Sequence, residues 1–347
     1  MRRRGGQRRD LLQRRRWRHR ADDHANNTTS ERHRDRDAQR QHAGLYHTTL
    51  CRTRRCRHVE QRPVWCWSAA AGARPSAALP IKNFDDDGIA VDSNGNIIEG
   101  NYLGTDQTGT LAEGNLFGAR VSNAANNLVG GTTAAARNLL SGNTNGVVVD
   151  ASGAVGNVIS GNYVGLDASG TGAIGNTERG IWLSDAGSTI VGGTAPGAGN
   201  VFVGNGVRGI AVVSSQGIEI YGNRVGTNPA GTASLGNATG MIIQDSEDCI
   251  VGSSTPAGRN LFSGNSFSGV YLNDTGVGFL TTDNVVAGNY IGTDVTGALA
   301  LGNGLRGVLI RDAVANTVGG ATPGDRNIIS ANVDYGVHLD DATSGNR

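Results

Sequence analysis

The chain has 347 residues, 54 of them glycine and only 5% aromatic. That composition excludes a Leu-rich helical or α/β globule, and with no run of 18 apolar residues no membrane-spanning helix is expected. The formal net charge of +1 averages two unlike parts: residues 1–80 carry 20 of the 31 basic and 7 of the 30 acidic groups, a balance of +13, and residues 81–347 a balance of −12.

The first part, residues 1–80, opens MRRRGGQRRDLLQRRRWRHR and shows no hydrophobic period. It has the basic start of a secretory signal but no apolar stretch behind it. Three readings stand side by side. One is a disordered basic arm that binds nucleic acid through its phosphates. Another is a metal site from Cys51, Cys56, Cys66 and His58, although their spacing does not match paired zinc ligands. The third is a stretch translated from a shifted frame, which yields Arg, Ala, His, Cys and Trp without periodicity.

From Ile81 onward the chain repeats itself. The unit G-N-[YR]-x-G-x-[DN] recurs at Gly100, Gly161, Gly222 and Gly288, in steps of 61, 61 and 66 residues. The marker V-G-[GS] recurs at Val129, Val191, Val251 and Val318. Each long unit divides into two halves that begin with a glycine: Gly88, Gly118, Gly146, Gly180, Gly209, Gly240, Gly269, Gly307 and Gly336. Positions +1 and +3 after it are apolar and +2 varies, which reads as a strand with one buried face. The glycine reads as a tight corner. A second strand follows in each half, N-x-x-x-G-N, led by Asn96, Asn138, Asn157, Asn200, Asn260, Asn284 and Asn327. Strands this short bury an apolar face only by stacking, coil upon coil. About nine coils at ~4.8 Å give a stack of roughly 40 Å. The recurring asparagines suit corners and coil-to-coil ladders.

The pattern G-[IV]-x-[VIL] followed by N-x-[IV]-x-G-N resembles the right-handed parallel β-helix repeat of pectin-lyase-like proteins. The resemblance covers residues 81–347 and implies an all-β solenoid. The variant with G-N-Y-x-G-T-D-x-T-G is similar to bacterial secreted or cell-surface repeat proteins, so that location is the expectation. The chain stops in mid-coil, at Asp341 to Arg347, and reads as truncated at its C-terminus.

Three sets of residues are candidates for chemistry. Position +5 places Asp245, Asp274, Asp312 and Asp341 in register, roughly 5 Å apart. Such oxygens suit Ca²⁺, or they cap turns. With Arg311 and His338, the aspartates Asp274, Asp312 and Asp341 resemble the acidic site with a basic residue that pectin-lyase-like enzymes use on uronates. The family's enzyme motifs are absent, however: no N-T-D, no G-H-G and no D-P-H-E. The loop G-T-D, at Asp106, Asp167, Asn228 and Asp294, recurs every second coil and reads as a turn held by its own side chain. Trp182 and Tyr271, with Arg120, project outward at +2 and suit sugar stacking. Two function classes follow. One is a non-catalytic interaction module whose partner is polysaccharide or a surface glycan, with no required cofactor. The other is a polysaccharide lyase or glycoside hydrolase. Nucleic acid enters only if residues 1–80 are a genuine basic arm.

Overall fold

The computed structural model describes residues 80–347, together with the strand Cys66–Trp67. The basic arm, the Cys51–Cys56–His58 cluster and the frame-shift reading lie outside the described residues. Cys66–Trp67 pairs in parallel with Ile97–Ile98, so one strand of the solenoid falls inside the segment read as non-periodic.

The fold is a right-handed parallel β-helix with three sheets. The first sheet is made of the glycine-led strands, from Asp87–Val91 through Phe117–Ser122, Asn145–Asp150, Arg179–Ser184, Arg208–Val213, Thr239–Gln244, Val270–Asn273 and Arg306–Arg311 to Tyr335–Asp340. The second runs from Ile97–Ile98 through Val158–Ser160 and Ile250–Val251 to Thr317–Val318. The third runs from Tyr102–Leu103 through Val201–Phe202 and Arg224–Val225 to Ile328–Ile329. These make eight complete turns, with a partial turn at each end, where the sequence suggested about nine.

Each coil therefore has three strands, where the sequence showed two. The motif N-x-x-x-G-N serves two sheets in alternation. Asn96, Asn157 and Asn284 lead strands of the second sheet, whereas Asn138, Asn200, Asn260 and Asn327 lead strands of the third. The missing strand is in each case only two or three residues long, too short to show an alternation of its own.

Positions +1 and +3 of the first sheet point inward, as their spacing predicts. They join the second residue of each short strand in one continuous core that includes Val121, Ile159, Leu183, Phe202, Ile243, Phe262 and Ile310. Burying each such side chain contributes about 1.5–3 kcal/mol. The strand-leading glycines serve a different purpose from the one expected. Their φ is not positive. A Cβ on Gly146 would lie 2.6 Å from the carbonyl oxygen of Gly180, and one on Gly180 would lie 2.5 Å from that of Gly209. Close approach of successive coils excludes a side chain there. Left-handed φ belongs instead to the corners, at Gly161 (67°) and at Ala331 (61°), which replaces the motif's glycine in the last copy.

Asparagine ladders hold the corners. At the entry to the third sheet, Asn101, Asn138, Asn162, Asn200, Asn223, Asn260, Asn289 and Asn327 are linked side chain to side chain without a break. Asn138 is representative. Its Oδ1 accepts from the backbone N–H and the Nδ2 of Asn101, both at 3.0 Å, and its Nδ2 donates to Asn162 Oδ1 (3.0 Å) and to the Ile98 carbonyl (2.8 Å). That uses both amide protons and both acceptor sites, which is how a buried amide escapes its desolvation cost.

Candidate functional site on the first sheet

Parallel register stacks the outward residues of the first sheet into columns. Position +2 gives Arg120, Val148, Trp182, Ala211, Ile242, Tyr271, Leu309 and His338 in one row. Among them Val148, Ala211, Ile242 and Leu309 are buried although they face outward.

The position before each glycine supplies a second row, with Arg179 and Arg208 in register. Strict alternation from +2 would turn this position inward. The strand begins at this position, and the contact of Arg179 with Trp182 puts it on the outer face beside the +2 row. The Arg179 guanidinium lies 4.8 Å from the Trp182 ring centroid. It also pairs with Glu178 at 2.5 Å, while its Nε is shielded with no hydrogen-bond partner among the described residues. Arg208 has no carboxylate partner among the described residues. Burial first, and Arg179 second, hold its pKa below the ordinary arginine value. Tyr271 stands further along and donates its hydroxyl to Asn273 Oδ1 at 2.6 Å.

Two further groups flank this centre. Toward the N-terminal end, Arg120 is taken by Asp150, with contacts of 2.6 and 3.0 Å. Asp87, whose carboxyl is raised by burial and then by Asp86, lies close enough for Arg120 to pull it back. Toward the C-terminal end, Arg306 donates from Nε to His338 Nδ1 at 2.9 Å, and Tyr335 stacks on the imidazole with centroids 4.6 Å apart. With Nδ1 accepting, a neutral His338 carries its proton on Nε2. Arg311 binds Asp340 at 2.6 Å and reaches Asp341 at 3.2 Å. Its hydrogen bond is the main cause that lowers the Asp340 carboxyl.

The +5 aspartates are in register but do not converge. Asp245 (4% exposed) accepts from the backbone N–H and hydroxyl of Thr275, at 2.7 and 2.8 Å. Asp274 accepts from the N–H groups of Gly276 (2.7 Å) and Thr281 (2.9 Å). Asp312 accepts from the Ala342 N–H at 3.1 Å. Asp245, Asp312 and Asp341 have left-handed φ of 49°, 54° and 59°, a conformation that Asp tolerates in turns. Among the described residues, no three His, Cys, Asp or Glu side chains stand close enough to hold a metal ion. Of the residues singled out from sequence, the structure joins Arg311 to Asp341 and leaves Arg120, Asp274 and Asp312 each occupied separately.

The G-T-D loops are turns closed by their own acid. Asp106 accepts from the N–H groups of Thr110 and Leu111, both at 2.9 Å, and from the Thr108 hydroxyl at 2.6 Å. The Thr108 contact leads the causes that drop its carboxyl well below the usual range. Asn228 makes the same backbone contacts without a charge, to Thr232 (2.9 Å) and Ala233 (3.2 Å).

Sequence reasoning missed Arg179, Arg208 and Asp340. Asp340 was readable, because it lies at +4, in register with Arg311 one coil earlier. The two arginines were not, because the glycine interrupts the alternation that was being counted.

No protein-family model matches the chain, and no curated protein matches it. Solved structures do. The periplasmic alginate epimerase AlgG is similar over 76% of this chain and 50% of its own, at 12% identity and a TM-score of 0.37. The Dettilon tailspike protein is similar over 75% of this chain and 57% of its own, at 13% identity and a TM-score of 0.36. The chain thus spans about half the length of either. That this chain is a β-helix rests on its own strand pairing. No helix among the described residues is long and apolar enough to cross a membrane.

Proposed function

We propose that this β-helix is a non-catalytic module, exposed outside the cell, that binds an acidic polysaccharide along the outer face of its first sheet. The observation that carries the reading is the centre of that face. Arg179 lies against Trp182, and beside it stands Arg208, half-buried and without a carboxylate partner among the described residues. Aromatic faces pack on sugar rings, and a guanidinium fork matches a carboxylate in two parallel hydrogen bonds. Trp182 and Tyr271 are three strand spacings apart, roughly 15 Å. An extended chain of several sugars lying along the axis spans that distance, whereas a monosaccharide does not. The balance of −12 over residues 81–347 works against non-specific attraction of a polyanion, so binding rests on local guanidinium groups such as those of this row.

The test is titration calorimetry with polygalacturonate, alginate and neutral dextran. The two acidic polymers are expected to bind and dextran is not. Arg208→Ala and Trp182→Ala are each expected to weaken binding by about tenfold. Binding that is unchanged in both variants, or equal for dextran, overturns the reading. Release of unsaturated or reducing ends that is lost in His338→Ala would replace binding by catalysis.

A further inference from the structure

The outer side of the third sheet repeats a simple unit. An arginine closes the loop that follows V-G-[GS], and its guanidinium covers the tyrosine of the next G-N-Y. Arg137 lies 4.0 Å from the Tyr163 ring centroid and donates from Nε to the Gly161 carbonyl at 3.1 Å. Arg259 lies 4.1 Å from the Tyr290 centroid and donates from Nε to the Gly288 carbonyl at 3.0 Å. In these two copies the arginine is both a lid on the ring and a clamp on the corner.

The copy between them is altered at both members of the pair. Gly199 stands where Arg137 and Arg259 stand, and Arg224 stands where Tyr163 and Tyr290 stand. Strand register confirms the equivalence, since Tyr163, Val201, Arg224, Leu261 and Tyr290 follow one another in a single column. The stack cannot form in this copy. In its place is a cleft of about 400 Å³, bounded by Pro196 and Gly199 on one side and by Arg259 and Tyr290 on the other, with Arg224 in its wall. A Cβ on Gly199 would come within 2.0 Å of the Gly222 carbonyl oxygen, so the backbone as it stands admits no side chain at this position.

Arg224 is poorly served in this position. Its Nε is shielded from solvent and has no hydrogen-bond partner among the described residues. It has no carboxylate within ion-pair distance among the described residues, and neither does Arg259. Burial lowers its pKa, so the charge is held at a cost. A desolvated guanidinium without an anion is unfavourable, and one with an anion in bidentate contact is among the stronger pairings a protein makes. Arg224 and Arg259 both line this one cleft, and Pro196, Pro256 and Val295 give it apolar walls. Its size lies at the small end of ligand pockets.

We propose that this cleft binds a small oxyanion carried on a ring-sized apolar body. The anionic group sits between Arg224 and Arg259, and the ring lies against the proline walls. The site stands apart from the first-sheet face and does not depend on the reading of that face.

The probes are phenyl phosphate, benzoate and inorganic sulfate, with phenol as the neutral control, titrated into the full chain and followed by calorimetry. Phenyl phosphate and benzoate are expected to saturate one site, and phenol is not. Sulfate binding as tightly as phenyl phosphate would limit the site to a bare anion and overturn the part of the proposal that concerns the ring. Arg224→Tyr restores the repeat's own residue and is expected to lose at least about tenfold in affinity. Arg224→Lys keeps the charge but not the fork and is expected to fall between the two. Thermal unfolding of each variant without ligand separates lost binding from lost folding. No saturation by either ring-bearing anion, or equal affinity in a folded Arg224→Tyr protein, overturns the proposal.

Discussion

Two corners of the solenoid face the same difficulty and meet it differently. At the entry to the third sheet, asparagines follow one another without interruption from Asn101 to Asn327. At the entry to the second sheet the ladder runs Asn96, Asn127, Asn157, stops at Thr189, Ile218 and Cys249, and resumes at Asn284, Asn316 and Asn346. Where it stops, hydroxyls on the other side of the corner take over part of the work. Ser215 Oγ accepts from the Ala186 N–H at 3.1 Å, and Ser246 Oγ accepts from the Ser215 N–H at 3.0 Å. The gap is apolar enough that burial pushes the Cys249 thiol up to about 12. The fold therefore does not demand asparagine as such. It demands that each buried corner amide and carbonyl find a partner.

The strongest way to break that comparison is Asn200→Ala, in the unbroken ladder. It orphans the Asn162 backbone N–H, the Asn162 amide and the Ile159 carbonyl. At about 1–3 kcal/mol for each buried orphan, the loss is about 3 kcal/mol or more. Urea unfolding measures it, and a loss under about 1 kcal/mol would mean that the ladder is ornamental.

Next in size is Ile218→Asn, within the gap. It buries an amide between Thr189 and Cys249, which offer a hydroxyl and a thiol in place of ladder amides, and is expected to cost about 2 kcal/mol. The triple variant Thr189→Asn, Ile218→Asn, Cys249→Asn rebuilds the column and is expected to recover most of that loss. A triple variant no more stable than the single one would show that the serines have made the two solutions exclusive.

A smaller effect sharpens the role of the corner backbone. Ala331 holds φ 61° where the other copies have glycine. Ala331→Gly is expected to stabilise the chain by about 1 kcal/mol, read as a rise in melting temperature. A fall would mean that the last corner does not hold this conformation in solution.

The smallest effect concerns the G-T-D loops. The carboxyls of Asp106 and Asp294 are lowered in the folded chain, chiefly by the hydroxyls of Thr108 and Thr296. A group whose folded pKa is depressed adds stability above its unfolded pKa, near 4, and that stability is lost as pH falls through the folded value. Stability should therefore decline below about pH 4. Asp106→Asn, which copies the natural Asn228, should flatten part of that decline while leaving the turn intact. An unchanged acid profile would assign the decline to other carboxylates.

How far the sequence could be read depended on the length of each element. The glycine-led strands were legible in all nine copies, because four to six residues suffice to show a period of two. The strands of the second and third sheets were not, and N-x-x-x-G-N looked like one element although it marks two. The outward row at Trp182 and Tyr271 was legible by counting from the glycine. Arg179 and Arg208 were not, because they stand at the first residue of the strand, where alternation counted from +2 does not hold. The exchange of Gly199 and Arg224 stood in the sequence as two separate deviations from the repeat. Nothing in the one-dimensional pattern says that the two positions touch.

The sequence by itself determined that the chain coils, how many residues each turn consumes, and which residues of the long strands face the core, because all three follow from periodicity. Only the tertiary structure decided what the exceptions mean. Stacking brings residues some thirty positions apart into contact, so the consequence of an irregular residue depends on the coil above it and the coil below. Arg208 has no carboxylate partner among the described residues and has Arg179 as its neighbour in register. Arg224 opens a cleft because Gly199 fails to cover it.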